Sequence, residues 1–230
     1  MELKDKKGCA NMKLAVFDFN GTIFPKETIP FLISCWKKNG YSKFKLFKLY
    51  LSLIPLIIKY KNPSITKLSK EKMKVKFMYK FSNIFDGMSK EEIDKYFIKV
   101  ENEAKKYYNK KVLKEMEKVR ENNYKIIILS GAFIELLNNV GDRLDVDDII
   151  GSNILNDNIK KRYSVISGSK KLSALKSKYN TIDIEWNNSY AYADSIDDLK
   201  LLKSFGNPVA VNPDDKLLKY AKRNDWKIIN

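Results

Sequence analysis

The sequence predicts an α/β fold: a parallel sheet flanked by helices, with an all-helical insertion straight after the first strand. Three observations predict it. Short apolar runs at 13–18, 125–129, 190–193, 208–211 and 226–229 are separated, from residue 111 onward, by stretches of helical periodicity, the pattern of strands joined by helical crossovers. From about residue 25 to 104 the periodicity is helical throughout, and no strand pattern interrupts it. Three of the apolar runs end in residues that carry chemistry, Asp18, Ser130 and Asp194, and ligands of open α/β sheets bind at the C-terminal ends of strands.

Residues 1–11 are polar and read as an extension, and 13–18 as a buried strand ending at Asp18. The insertion divides into helices over 27–38, 42–60, 64–81 and 91–106. Pro63-Ser64 opens the third, and Ser89-Lys-Glu-Glu92 opens the fourth as a capping box, in which a serine hydroxyl and a glutamate carboxylate satisfy each other's backbone amides. A helix over 111–122 leads to the strand 125–129, then Ser130-Gly131 and a helix over 132–143. Strands over 148–153 and 160–165 flank the turn 155–158. The rest reads as helix 171–179, strand 190–193, helix 195–204, strand 208–211, helix 214–224 and strand 226–229.

Composition excludes several chemistries. There is no histidine, which removes Ser-His-Asp and Cys-His catalysis and imidazole metal sites. Cys9 and Cys35 lack metal-ligand spacing, and the charged start (Met1 to Lys7) does not resemble a signal peptide, so reduced thiols and a cytoplasmic location are expected. The net charge is +16, from 44 basic and 28 acidic residues, yet the arginines are only Arg120, Arg143, Arg162 and Arg223. Bidentate readout of bases favours arginine, so lysine dominance argues against sequence-specific nucleic-acid binding; it reads either as a plain solvated lysine-rich surface or as attraction to anionic lipid or phosphorylated substrates.

Asp18, Ser130, Lys171 and Asp194 form an ordered set. Two carboxylates at strand tips make a hard oxygen site suited to Mg²⁺. Ser130 and the Gly131 amide are placed to hold phosphate oxygens at a helix N-terminus, and a lysine neutralises nucleophile and phosphoryl charge. On these residues the chain resembles the haloacid dehalogenase (HAD) superfamily, in particular its phosphoserine-phosphatase-like subfamily IB with a helical C1 cap. Asp18-Phe-Asn-Gly-Thr22 resembles motif one (Asp-x-Asp-x-Thr), Ile127-Ile-Leu-Ser130-Gly131 motif two, Lys171 motif three and Asp194-Ser-Ile-Asp-Asp198 motif four. Lys170 competes for motif three, and spacing to Asp194 favours Lys171. The tail Gly206-Asn-Pro-Val-Ala-Val-Asn-Pro213 is also similar.

The resemblance implies a Rossmann-like core over 12–24 and 105–230 and a helical cap over 25–104. It implies a Mg²⁺-dependent phosphomonoester hydrolase in which Asp18 is the nucleophile and is phosphorylated. The metal would be held by Asp18, the Asn20 main-chain carbonyl and Asp194. Asp198 would brace the metal's water shell, with Asp197 either assisting or only capping a helix. The family's second motif-one aspartate, which protonates the leaving oxygen, is here Asn20, and an amide has no useful proton chemistry near neutral pH. Three readings stand: a substrate such as an acyl phosphate whose leaving group needs little protonation, an engineered change that traps a ligand, or a phosphate-binding pseudophosphatase.

Glu27 matches the position of a phosphoserine-phosphatase glutamate that recognises the substrate amine, against the plain alternative of a dipole-favoured glutamate at a helix start. No arginine precedes Arg120 to bind a substrate carboxylate, and Lys72, Lys74 or Lys76 would substitute without arginine's planar fork. The segment 44–60 is strongly apolar and flanked by lysines but too interrupted for a membrane span. It reads either as a cap helix packed on its neighbours and kinked at Pro55, or as a helix in a membrane interface with snorkelling lysines, as in a peripheral lipid-phosphate phosphatase.

Overall fold

A computed structural model of the chain describes residues 11–61, 70–153 and 165–230. Strand β1 (Leu14–Phe17) is fully buried along its length. A four-residue run without a polar side chain suits only a central strand covered on both faces. It pairs in parallel with β2 (Lys125–Phe133) on one side and β4 (Tyr190–Ala193) on the other. With β3 (Asp148–Ser152), β5 (Asn207–Val211) and β6 (Lys227–Ile229) the sheet has the order β3-β2-β1-β4-β5-β6, every pair parallel. The chain leaves β1 toward β2 and later returns to lay β4 on the opposite edge of β1. That reversal opens a crevice at the C-terminal end of β1.

Side chains alternate across the sheet. Ala15, Phe17, Ile126, Ile128, Tyr192 and Val209 face one layer, and Leu14, Val16, Ile127, Leu129, Ala191 and Ala210 face the other. Phe17 and Tyr192 stack at 4.1 Å between ring centroids. Between β1 and β2 lie α1 (Thr28–Lys38), α2 (Lys43–Lys61), α3 (Lys70–Ser82), α4 (Lys90–Ala104) and α5 (Lys110–Glu121). After β2 come α6 (Ile134–Leu144), α7 (Ser169–Lys178), the four-residue α8 (Leu199–Leu202) and α9 (Asp215–Arg223).

The predicted capping box is formed: Ser89 Oγ accepts from Glu92 N at 3.3 Å, and Ser89 N donates to Glu92 Oε2 at 2.7 Å. Helix α1 buries Thr28, Leu32, Cys35 and Trp36 on one stripe, and burial pushes the Cys35 thiol up to about 11. Trp36 meets Tyr96 at 5.4 Å, and Tyr96 meets Phe85 at 5.3 Å. Phe133 touches both Phe81 (5.9 Å) and Phe97 (5.8 Å). Apolar contact therefore runs unbroken from the sheet face into the inserted helices.

Several boundaries differ from expectation. Strand β2 continues through Ser130 to Phe133, with a register shift between Leu129 and Phe133, so α6 starts two residues later than predicted. The expected helix over 195–204 is a 3₁₀ turn (Ile196–Asp198) followed by α8. Residues 1–10, the start of the third predicted helix, the turn 155–158 and most of the predicted strand 160–165 lie outside the described residues; Val165 itself is not in a strand. Pro55 sits inside α2, which continues past it. No helix among the described residues is long and apolar enough to cross a membrane.

Candidate active site

Asp18 stands at the end of β1, and its N–H donates to Tyr192 O at 2.9 Å, extending the ladder by one residue. It is 5% exposed. One carboxylate oxygen accepts from Phe19 N at 2.7 Å and the other lies 2.9 Å from Lys171 Nζ, so the group is fixed in orientation. The chain then turns sharply: Gly21 N donates to Phe24 O at 2.7 Å, and Phe24 N to Phe19 O at 2.8 Å. Gly21 has φ +78°, and a Cβ on it would overlap the Asp194 carboxylate. Gly21→Ala is accordingly expected to cost ~1–3 kcal/mol in a urea melt, with loss of any bound divalent cation. A melt and a Mg²⁺ titration unchanged from the parent would contradict this.

Lys171 sits in the first turn of α7 and is 4% exposed. Its ammonium donates to Asp198 Oδ2 at 2.7 Å as well as pairing with Asp18. Burial works to discharge it, but the two carboxylates outweigh burial and raise its pKa. Lys170 is exposed, so α7 turns Lys171 and not its neighbour into the cavity. Asp198 is 3% exposed and makes no capping bond for α8; its partner is Lys171. Burial pushes the Asp198 carboxyl up to about 6. Asp194, at the tip of β4, is pushed up to about 7 by burial and then by the charge of Asp18. Asp197 is exposed at the rim.

Ser130 and Gly131 do not open a helix, as the sequence suggested, but lie in the irregular last part of β2. Ser130 is fully buried. A Cβ on Gly131 would come within 2.6 Å of Ile166 O, so only glycine lets these two backbones pass. Ser152 ties them together: its hydroxyl donates to Gly131 O (2.9 Å) and accepts from Ile166 N (3.0 Å).

Asn20 lines the same cavity, and its side-chain oxygen accepts from the Thr28 hydroxyl at the start of α1. Glu27 occupies the N-cap position of α1 without capping it, is 63% exposed, and lies 3.7 Å from Lys74 of α3. The two stand at the mouth. Asp214, the N-cap of α9, accepts from Ser195 Oγ (3.0 Å), Ile196 N (2.9 Å) and Leu217 N (2.9 Å), while its own N–H donates to Asp194 O (2.8 Å). Partial burial works against its charge, but these bonds outweigh it and hold its pKa low. Sequence reading missed Ser152, Thr28 and Asp214. Only Asp214 left a signal, as an aspartate after Pro213 at a helix start.

The cavity has a volume of about 530 Å³ and runs from Asp18, Ser130, Lys171 and Asp194 at its floor to Lys26, Glu27 and Lys74 at its mouth. Carboxylate oxygens of Asp18, Asp194 and Asp198 lie within 4.8 Å of one another, a spacing that can hold a metal ion. The donor set is all oxygen, and the missing Cβ of Gly21 makes its room, so these residues fit a hard divalent cation such as Mg²⁺. A buried lysine against a carboxylate cluster, beside a serine and a glycine amide, is an arrangement for holding a phosphoryl group.

Comparison with known proteins agrees. The family described as haloacid dehalogenase-like hydrolase matches residues 15–203. A histidinol-phosphatase of Neisseria meningitidis serogroup C (strain 8013) is 47% identical over 45 residues, 20% of this chain and 20% of that protein, so the match spans only a fifth of that relative. Among solved structures, a protein of unknown function from Bordetella pertussis Tohama I aligns with a TM-score of 0.75 at 14% identity, covering 96% of this chain and 99% of that one. A substrate-bound phosphoserine phosphatase aligns with a TM-score of 0.61 at 15% identity, covering 95% and 93%. At these identities the structural likeness is one of fold. With most of its length matched by the family, the chain belongs to the haloacid dehalogenase-like hydrolases.

Proposed function

We propose that the chain is a Mg²⁺-dependent phosphatase that cleaves small phosphomonoesters or acyl phosphates through an aspartyl-phosphate on Asp18. The observation that carries this is the buried Lys171 ammonium bonded to both Asp18 and Asp198 on the floor of a cavity. A Mg²⁺ ion held by Asp18, Asp194 and the Asn20 carbonyl, with Asp198 beside it, would add positive charge against the phosphoryl group.

The chain's own residues supply the rest. Ser130 and the Gly131 N–H orient the phosphoryl oxygens. An Asp18 oxygen attacks phosphorus, the bond to the leaving oxygen breaks, and the electron pair stays on that oxygen. Lys171 offsets the charge on the attacking and transferred groups. Water then attacks phosphorus of the aspartyl-phosphate, restoring the Asp18 carboxylate and releasing inorganic phosphate, with the proton passing to solvent. Asn20 moves no proton in either half, so the leaving group must be stable as an anion or be protonated from solvent. The inserted helices act as a cap, with Glu27 and Lys74 as the charged pair that meets the leaving group.

The test is Mg²⁺-dependent release of phosphate from acetyl phosphate and from an alkyl phosphate. Acetyl phosphate is expected to turn over faster, by about 10²-fold or more, because it alone needs no general acid. Asp18→Asn should give no turnover on either substrate and no acid-stable label from a radioactive phosphoryl donor. Turnover that survives Asp18→Asn removes the mechanism. No turnover by the parent or by Asn20→Asp leaves the pseudophosphatase reading.

A further inference from the structure

Helix α2 is apolar on two opposite sides. Leu46, Leu49, Leu53 and Leu56 are buried against the fold. On the other side Phe44 (65% exposed), Phe47 (57%), Leu51 (51%), Ile54 (49%) and Ile58 (54%) follow one another at three- and four-residue spacing. They form a single stripe along the helix, bordered by the exposed Tyr50 and Ile57. At 1.5 Å per residue the stripe is about 20 Å long. Scattered exposed leucines need no explanation, but a continuous apolar stripe of this length marks a contact surface.

The charges around the stripe indicate what it meets. From Thr28 to Lys70 the chain has nine lysines and no aspartate or glutamate. Lys43, Lys48 and Lys59 on α2 are all exposed; Lys48 lies 4.5 Å from the Phe44 ring centre, and Lys37 lies 5.4 Å from that of Tyr50. Ammonium groups thus stand beside the apolar stripe, and α2 itself carries no acidic residue. A second copy docked on this face about a two-fold axis would set lysine against lysine. An anionic lipid surface answers both features: acyl chains take the apolar stripe, and phosphates take lysines whose stems snorkel to the headgroup level.

We propose that the outer face of α2 is a docking surface for anionic membrane, on which the protein rests peripherally. The buried leucine stripe keeps α2 folded and aimed before contact, so binding orders no new segment. Neighbouring α3 carries Lys74 to the mouth of the cavity, so the docking helix adjoins an element of the site. The proposal goes beyond phosphatase action and does not rest on it.

The test is co-sedimentation of the full chain with phosphatidylcholine vesicles, with and without phosphatidylglycerol, at low and high salt, with light scattering for oligomeric state. Binding is expected only with phosphatidylglycerol and should weaken with salt. Phe47→Asp with Leu51→Asp should reduce it by about tenfold or more with an unchanged melting curve, since both side chains are already exposed. Lys48→Glu, a milder change, should weaken binding about fivefold or more and flatten the salt dependence. The proposal is overturned if wild type does not bind phosphatidylglycerol vesicles at low salt, if binding persists unchanged in both variants, or if wild type is a dimer that the double variant separates. None of these readouts depends on turnover, so failure here leaves the phosphatase reading standing.

Discussion

Asn20→Asp is expected to raise kcat on an alkyl phosphate by ~10²–10⁴-fold, the usual worth of a positioned general acid, and to change turnover of acetyl phosphate by less than about tenfold. Asn20 follows Asp18 by two residues and lines the same cavity, while its carboxamide holds no proton to give. An aspartate has the same shape and still accepts the Thr28 hydroxyl bond that now fixes the side chain, so the substitution should neither unfold the turn nor disturb a metal site that uses the main-chain carbonyl. The effect should appear in kcat with little movement in KM, because proton transfer is made in the transition state and not in binding. A bell-shaped pH profile should appear in the variant for alkyl substrates and be absent from the parent. An equal gain on both substrates would mean the position acts through charge and not proton transfer. No gain on either would mean that the leaving oxygen is not near Asn20.

The residues that make this site were legible because strand tips announce themselves: β1 and β4 are apolar runs cut off by Asp18 and Asp194. Lys171 was legible by its spacing, and the pitch of α7 turns it into the cavity while Lys170 stays exposed. The end of β2 was not legible. Ser130-Gly131 reads as a break because glycine weakens strands, yet the Ser152 hydroxyl and the close pass of Ile166 keep the chain in the sheet to Phe133. Such support comes from residues distant in sequence. The same holds for α8, expected to begin at Ser195: the Asp214 carboxylate takes the Ser195 hydroxyl and the Ile196 N–H, holding that stretch as a loop and tight turn. For α2 the sequence offered both a packed and a lipid-facing reading. One face is packed and the opposite face is apolar and exposed, because neighbouring elements cover only one side of the helix.

Lys171→Met is expected to abolish turnover and to destabilise the protein by ~3–5 kcal/mol near pH 7.5, the usual consequence of removing one partner from a buried ion pair. Lys171 is the cation bonded to both Asp18 and Asp198, and methionine fills its volume while leaving those carboxylates uncompensated. The pH dependence separates this from a packing defect. Asp194 and Asp198 already have folded pKa values raised to about 7 and about 6, above their unfolded values. A raised carboxyl holds its proton in the native state after the unfolded chain has released it. Its contribution to stability is therefore intact below the unfolded pKa, near 4, and is lost as pH rises toward the folded value. Without the ammonium both values rise further, so the loss in the variant is larger and extends to higher pH. Urea melts should show the gap between parent and variant shrinking by more than half from pH 7.5 to pH 4.5. At pH 7.5, added Mg²⁺ should recover part of it by supplying positive charge to the same oxygens. A gap of the same size at both pH values would mean that Lys171 acts through packing, and a variant as stable as the parent at pH 7.5 would mean the three carboxylates are not held against one another as the geometry requires.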